Sequence, residues 1–183
     1  MIFGSGLSLV CTALLATLAT ASPALYTAEL QARQAVDNIV YVTNAQTFCE
    51  VPGGMKTYCS PAGRYSPDQG QLPPDFWSNV AFTTGTSSRG ARFAQLTGCI
   101  RPEKLSRLNP NDSGGQYDSS GGAGGLGNPQ GSKCLGYNHY VELVEPADRR
   151  ACIKCCDNYD DCPLHLDTAG CPQVIPGNYF DCN

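Results

Sequence analysis

The sequence predicts a mainly β protein: a small disulfide-stapled β-sheet domain (sandwich- or barrel-like) with long loops and a cysteine-rich C-terminal tail. Three observations lead to this class. Short segments rich in β-branched and aromatic residues alternate with turn residues, as in sheets built from short strands. No stretch keeps a long helical period. Six of the eleven cysteines fall between Cys152 and Cys182, both included, a density typical of stapled extracellular folds.

Five segments carry the strand pattern. The clearest is 139–145, which Pro146 ends. Its alternate residues point to opposite faces, with His139, Val141 and Leu143 on one face and Tyr140, Glu142 and Val144 on the other. The predicted strands are 38–43, 47–51, 79–84, 92–97 and 139–145, and one helical turn is expected over 103–108.

The N-terminal 21 residues carry no charged side chain and end in Ala19-Thr20-Ala21, the small-x-small pattern that signal peptidase accepts. We therefore expect a signal peptide over 1–21, an N-terminal arm over 22–35 and a single disulfide-rich extracellular domain over 36–183, with 152–182 as its cysteine-dense tail. A membrane anchor is the alternative, but the apolar run is shorter than the ~20 residues that span a bilayer. The expected localisation is secreted, and whether the arm is a removed pro-segment stays open.

The cysteine count predicts five bridges and no free thiol. Cys11 lies in the expected signal peptide, which leaves an even number. Cys155 and Cys156 are adjacent, so we expect them to bond to different partners, but spacing does not give the connectivity. A zinc site is the alternative, because Cys152 and Cys155 have ligand spacing; export through an oxidising lumen disfavours it, and no metal is expected. The predicted disulfide cysteines are Cys49, Cys59, Cys99, Cys134, Cys152, Cys155, Cys156, Cys162, Cys171 and Cys182.

Charge and glycine content narrow the expected partners. The net charge is −4, from 12 Lys and Arg against 16 Asp and Glu, and no basic stripe is present. Nucleic acid is therefore not an expected partner. The glycine run 121–127 lacks the following Lys-Ser/Thr of a phosphate loop, so no cofactor is expected. The glycine-rich stretch 109–132 is instead predicted to be a long, mobile surface loop.

Candidate catalytic and modified residues are few. Asn111-Asp112-Ser113 is a glycosylation sequon, and we expect Asn111 to be its acceptor. The same segment is half of a calcium-loop pattern, but a plain turn is favoured because the acidic first and twelfth positions are missing. His139 and His165 belong to no catalytic motif, and no catalytic residue is predicted. Carboxylates such as Asp118, Glu142 and Glu145 would have to pair in space to catalyse hydrolysis.

Aromatic residues are the predicted ligand-binding groups. Trp77, Tyr137 and Tyr140 are the candidates, together with Phe76, because aromatic rings stack on sugars and tyrosine adds a polar tip. Ordinary core packing is the competing interpretation for Trp77.

Four segments resemble a group of fungal small secreted cysteine-rich proteins that have no assigned activity. The resemblance extends from about residue 36 to residue 182. It implies a role at the cell surface, at the wall or in host contact, often called effector-like, and it carries no catalytic residues. The segments are Gly114-Gly115-Gln116-Tyr117-Asp118, Asn138 to Pro146 (NHYVELVEP), Cys152-Ile153-Lys154-Cys155-Cys156 and Val174-Ile175-Pro176-Gly177-Asn178-Tyr179.

Three functions follow as hypotheses. The first is a secreted, non-catalytic protein of fungal type that acts through its surface at the cell wall or toward a host. Its expected partner is a cell-wall glycan or a host extracellular protein. The second is a carbohydrate-binding module, and the third is a small secreted hydrolase that uses carboxylate catalysis. The sequence favours a protein that is not an enzyme.

Overall fold

The computed structural model describes Met1 and residues 38–182 apart from Met55. The expected signal peptide beyond Met1 and the expected N-terminal arm lie outside the described residues, as does Cys11. Among the described residues, no helix combines the length and the apolar character needed to cross a membrane.

Ten strands form two five-stranded sheets. Sheet 1 has the order β4-β3-β2-β1-β8, with strands β1 (Ile39–Asn44), β2 (Thr47–Glu50), β3 (Tyr58–Cys59), β4 (Gly70–Gln71) and β8 (Lys133–Cys134). Sheet 2 has the order β5-β6-β10-β9-β7, with strands β5 (Trp77–Thr86), β6 (Arg92–Ile100), β7 (Gly115–Asp118), β9 (His139–Glu145) and β10 (Arg150–Cys156). Sheet 2 is antiparallel throughout, whereas β1–β8 and β3–β4 of sheet 1 are parallel pairs.

The two sheets pack face to face around one core and do not close into a barrel. Their inner faces bury apolar side chains from both sides, which removes these side chains from water. Sheet 1 and the segment after β2 contribute Val40, Val42, Phe48 and Val51, and sheet 2 contributes Ala94, Leu96, Ile100, Tyr140, Val144, Ala151 and Ile153. The predicted mainly β, sandwich-like class is therefore confirmed, and the barrel alternative is wrong.

The outer face of sheet 2 supports a second core. The alternation predicted for β9 is confirmed, because Tyr140 and Val144 join the core between the sheets while Val141 and Leu143 join the outer one. The chain after β10 covers this outer face. It includes α1 (Cys171–Val174) and packs Val174 onto the sheet. The fold therefore has three layers: sheet 1, sheet 2 and the C-terminal segment.

Disulfides and polar contacts fix this third layer. Cys152–Cys171, Cys156–Cys162 and Cys99–Cys182 each join sheet 2 to the C-terminal segment. Between them, the Gln95 amide donates to the Pro176 carbonyl at 2.9 Å and the Thr97 hydroxyl donates to the Asn178 carbonyl at 2.8 Å. The polar side chains of β6 thus serve as docking groups for the segment.

The remaining bridges act on sheet 1. Cys49–Cys59 links β2 to β3, and Cys134–Cys155 links β8 of sheet 1 to β10 of sheet 2. Cys155 and its neighbour Cys156 face opposite sides of β10 and bond to different partners, as predicted. All cysteines of the described residues are paired, which confirms the five predicted bridges.

Three segments differ from prediction. The cysteine-dense tail expected over 152–182 begins inside β10, a central strand of sheet 2, because its alternating residues Ala151, Ile153 and Cys155 fill the main core. The loop expected over 109–132 contains β7, which forms an edge of sheet 2. The expected helical turn over 103–108 is a 3-10 turn at Pro102–Lys104.

Candidate functional site

Trp77 is positioned by a β-bulge. It pairs with Ile100 of β6, and the register then shifts so that Asn79 pairs with Cys99. The bulge depends on Gly98, where a Cβ atom would lie 2.1 Å from the Asn79 carbonyl oxygen. Only glycine permits such a close approach of two strands, and bulges of this kind change the direction of nearby side chains. Trp77 consequently packs against the core between the sheets.

Two contacts fix the half-buried indole of Trp77. Its Nε1–H donates to both carboxyl oxygens of Glu50, at 3.3 Å to Oε1 and 3.1 Å to Oε2. The Phe48 ring meets the indole edge-on, with 6.2 Å between the ring centroids. Both partners belong to β2, so sheet 1 holds an aromatic side chain of sheet 2 in one orientation.

A surface groove of about 380 Å³ opens beside Trp77. Its walls are mostly apolar. They come from the β1–β2 turn, β2, the loop between β3 and β4, the loop after β4, and β5. A rigid aromatic ring in an apolar groove is typical of sites that bind a small molecule or one sugar unit. The lining residues are Ala45, Gln46, Phe48, Ser60, Pro61, Ala62, Leu72, Pro73, Pro74, Trp77 and Val80.

The groove offers one uncommitted polar side chain. The Ser60 hydroxyl is occupied, since it donates to the Gln46 carbonyl at 2.7 Å and accepts from the Gly63 amide at 3.1 Å. The exposed Gln46 side-chain amide, by contrast, has no hydrogen bond to another described residue. An amide that both donates and accepts beside an indole suits a ligand with hydroxyl or acetamido groups.

A second aromatic pair joins β1 to the 60–65 loop, which also forms part of the groove wall. Tyr65 is 54% exposed, and its ring centroid is 6.1 Å from that of Tyr41. The Tyr41 hydroxyl donates to the Gly63 carbonyl, which ties the loop to β1. This pair was not predicted from the sequence. Tyr41 and Tyr65 come together only through the pairing of β1 with β2 and the fold of the 60–65 loop.

The other predicted ligand-binding tyrosines do not join Trp77. Tyr140 is fully buried and donates its hydroxyl hydrogen bond to Ser132 at 2.8 Å, so its ring offers no face to a ligand. Tyr137 is half-buried and lies under the Arg92 guanidinium, 5.2 Å from the ring centroid. Arg92 is the first residue of β6 and Ile100, the partner of Trp77, is the last. At the rise per residue of a strand these two residues are about 26 Å apart, so Tyr137 lies far from Trp77. Phe76 is a core residue.

Two buried carboxyl groups lie in the core between the sheets, and one of them, Glu50, accepts from the Trp77 indole. Glu50 at the end of β2 is 2% exposed, and Glu142 in the middle of β9 is 1% exposed. Burial raises the pKa of both groups, and the Glu142 charge raises that of Glu50 further. Neither carboxyl group reaches the surface, so neither can transfer a proton to a substrate in this arrangement.

The other carboxylates named from the sequence have structural partners. Asp118 accepts hydrogen bonds from the amides of Ser120 and Gly121. Glu145 accepts from Arg150 at 2.6 Å and from the Cys171 amide at 3.1 Å, so it joins β9 to the C-terminal segment. Glu142 is the one whose charge acts on another buried carboxyl group, and that group, Glu50, was not predicted.

The histidines and the sequon segment form no catalytic or metal centre in the described residues. The His139 Nδ1 atom lies 3.3 Å from the Ser120 hydroxyl, and no carboxylate of the described chain hydrogen-bonds the ring. No cluster suited to a metal ion occurs among these residues. The Asn109 carboxamide accepts from the Asn111 amide at 3.0 Å, which makes this segment a turn. Asn111 is exposed in that turn.

Comparisons with family models, with curated proteins and with solved structures find no match for this chain.

Proposed function

We propose that this is a secreted, non-catalytic extracellular protein of fungal type that acts through its surface, at a cell wall or toward a host, by binding a ligand in the Trp77 groove. The observation that carries the proposal is the groove itself, in which Glu50 and Phe48 hold a half-exposed indole in place. A preorganised ring loses little freedom when a ligand binds, which favours affinity.

Two further observations support the extracellular part of the proposal. Five disulfides persist in oxidising compartments and are rare in reducing ones. The apolar N-terminal sequence ends in a signal-peptidase pattern after Ala21. Expression of the full chain in a eukaryotic secretory host tests this: we expect a product in the medium that begins at Ser22 and takes up no alkylating reagent before reduction. Retention in the cell, or an alkylated cysteine, would argue against it.

A carbohydrate is the ligand class that the groove supports best. Trp77 supplies a stacking face, and the exposed Gln46 amide supplies a donor and an acceptor for hydroxyl or acetamido groups. The buried Glu50 and Glu142 give the hydrolase hypothesis no accessible acid, so binding without turnover is the favoured activity.

Isothermal titration with hexamers of β-1,4-linked N-acetylglucosamine and of β-1,3-linked glucose tests the groove. We expect at least one hexamer to bind and Trp77→Ala to abolish its binding. Tyr159→Ala is the control, because Tyr159 is an exposed aromatic ring that packs on His139, away from the groove. Equal loss in both variants, or full affinity of Trp77→Ala, would rule out the groove as the site.

A further inference from the structure

The two buried glutamates come from different sheets. Glu50 ends β2 and pairs with Tyr58 across sheet 1. Glu142 pairs with Ile153 and Tyr117 in sheet 2. Both side chains point into the core between the sheets, where the negative charge of one acts on the other. A carboxyl pair of this kind spans the two halves of the sandwich.

Among the residues that the structure describes, each carboxyl group receives hydrogen bonds from a single N–H group. Both Glu142 oxygens face the Val51 amide, at 3.1 and 2.9 Å, and both Glu50 oxygens face the Trp77 indole. Neither group forms an ion pair within the described residues. Two N–H donors do not compensate for two buried negative charges, so the pair is stable when it retains a proton.

The surrounding groups do not take up or neutralise the charge of the carboxyl pair. Burial raises the pKa of the Tyr117 and Tyr140 phenols, so both remain neutral around pH 7. The Arg107 guanidinium is exposed and bound to the Gly53 carbonyl and the Tyr58 hydroxyl. Glu142, Arg107 and Asp112 act on the Tyr117 phenol, and Glu142, Asp118 and Tyr117 act on the Tyr140 phenol. On the side of sheet 1, Tyr58 is the cross-strand partner of Glu50.

We propose that Glu50 and Glu142 hold a single proton between them, and that this proton regulates the Trp77 groove. While the proton is present, one carboxyl group is neutral, and Glu50 can keep its hydrogen bond to the indole without two like charges facing each other. Loss of the proton leaves two anions in the core, and their repulsion is relieved by separating β2 from β9. Because Glu50 and Phe48 of β2 hold Trp77, that separation changes the groove.

Trp77 is the single tryptophan of the chain, which makes the first half of the proposal directly measurable. Intrinsic fluorescence between pH 4.5 and 9 therefore reports on the indole that Glu50 accepts from. We expect a transition with a one-proton slope in the emission maximum of the native protein. In Glu142→Gln the transition should move to lower pH, because Glu50 loses the neighbouring charge that raises its pKa while its burial remains. Glutamine keeps the shape of the neutral carboxyl group and an oxygen that accepts from the Val51 amide.

Two additional variants keep this test decisive. Glu50→Gln retains an acceptor for the indole, so it replaces Glu142→Gln if that variant does not fold. We expect it to lack the transition, because the group bonded to the indole no longer titrates and no second anion faces Glu142. Glu103→Gln removes the same charge from an exposed ion pair with Arg149 and should titrate like the native protein. An absent transition in the native protein, an unshifted transition in Glu142→Gln, or a transition that persists in Glu50→Gln would overturn the shared proton.

The second half of the proposal rests on the proposed function and has its own measurement. The hexamer that binds the groove should bind about tenfold more weakly at pH 9 than at pH 5. In Glu142→Gln the two affinities should be equal. Equal affinities in the native protein would overturn regulation of the groove. Failure of every hexamer to bind at either pH would instead reject the carbohydrate groove, and regulation with it, while the fluorescence titration still decides whether the pair shares a proton.

Discussion

Glu142 links the stability of the molecule to pH in the direction opposite to that of an ion-paired carboxylate. Burial raises its pKa from an ordinary value of 4.5 to about 8. The folded state therefore holds the proton more tightly than the unfolded chain does. It follows that the stabilisation is complete below about pH 4.5 and is lost as the pH rises toward 8.

We therefore expect the free energy of unfolding to fall between pH 5 and pH 8, by up to roughly 1.4 kcal/mol per pH unit for one proton. Glu142→Gln should flatten this dependence, because the amide has no proton to lose. Urea denaturation at several pH values across this range measures it. A native protein whose stability rises over the range would contradict the assignment of a raised pKa.

The sequence indicated the orientation of Glu142 but not its partner. Alternation along β9 placed Glu142 on the face of Tyr140, and the structure has it there. Glu50 stands 92 residues earlier, and nothing local relates the two, because the packing of sheet 1 on sheet 2 creates the contact. For the same reason Trp77 could be named as a candidate, whereas the partners that orient it could not.

At the scale of elements, the β5–β6 hairpin depends on one glycine. Gly98→Ala would place a methyl group 2.1 Å from the Asn79 carbonyl oxygen, in the bulge that positions Trp77. We expect a loss of roughly 3 kcal/mol in the free energy of unfolding, together with a changed Trp77 emission spectrum.

Gly85→Ala is the matched control for this variant. It lies in the same hairpin, and its new methyl group would meet the Phe93 ring at 3.7 Å, an ordinary contact. Chemical denaturation of the two variants compares them. Similar stabilities would mean that the strands separate at the bulge without penalty.

Strands were predicted correctly where the alternation or the apolar run was long enough to be recognised in the sequence. β1, β2, β5, β6 and β9 all overlap their predicted ranges. β10 falls within the predicted tail, because its cysteines and Lys154 obscure the alternation that places Ala151, Ile153 and Cys155 in the core. β3, β4 and β8 have two residues each, too few to show any period.

At the scale of the whole molecule, the disulfide bridges differ in which parts of the fold they join and in the length of chain that they close. Cys134–Cys155 joins the two sheets and closes a separation of 21 residues, whereas Cys156–Cys162 closes only 6. All four cysteines are buried, so the two bridges are matched in environment. Loop-closure entropy makes the longer link more stabilising by about 1 kcal/mol.

We expect the double variant Cys134→Ala/Cys155→Ala to melt at a clearly lower temperature than Cys156→Ala/Cys162→Ala. Removing both partners of each bridge avoids a free thiol in either variant. Differential scanning calorimetry without reductant compares them with the native protein. A larger loss from the shorter bridge would show that the C-terminal layer, rather than the link between the sheets, limits stability.

The bridge pattern also sets an order on biosynthesis. Cys49 needs only 10 further residues to leave the ribosome before its native partner is present, but Cys99 must wait for 83. Throughout that interval Cys99 is a thiol without its native partner, in a chain that already contains the Cys49–Cys59 bridge. We expect a disulfide isomerase to have its largest effect at Cys99, since every mispaired form of that cysteine leaves the end of the C-terminal layer unattached.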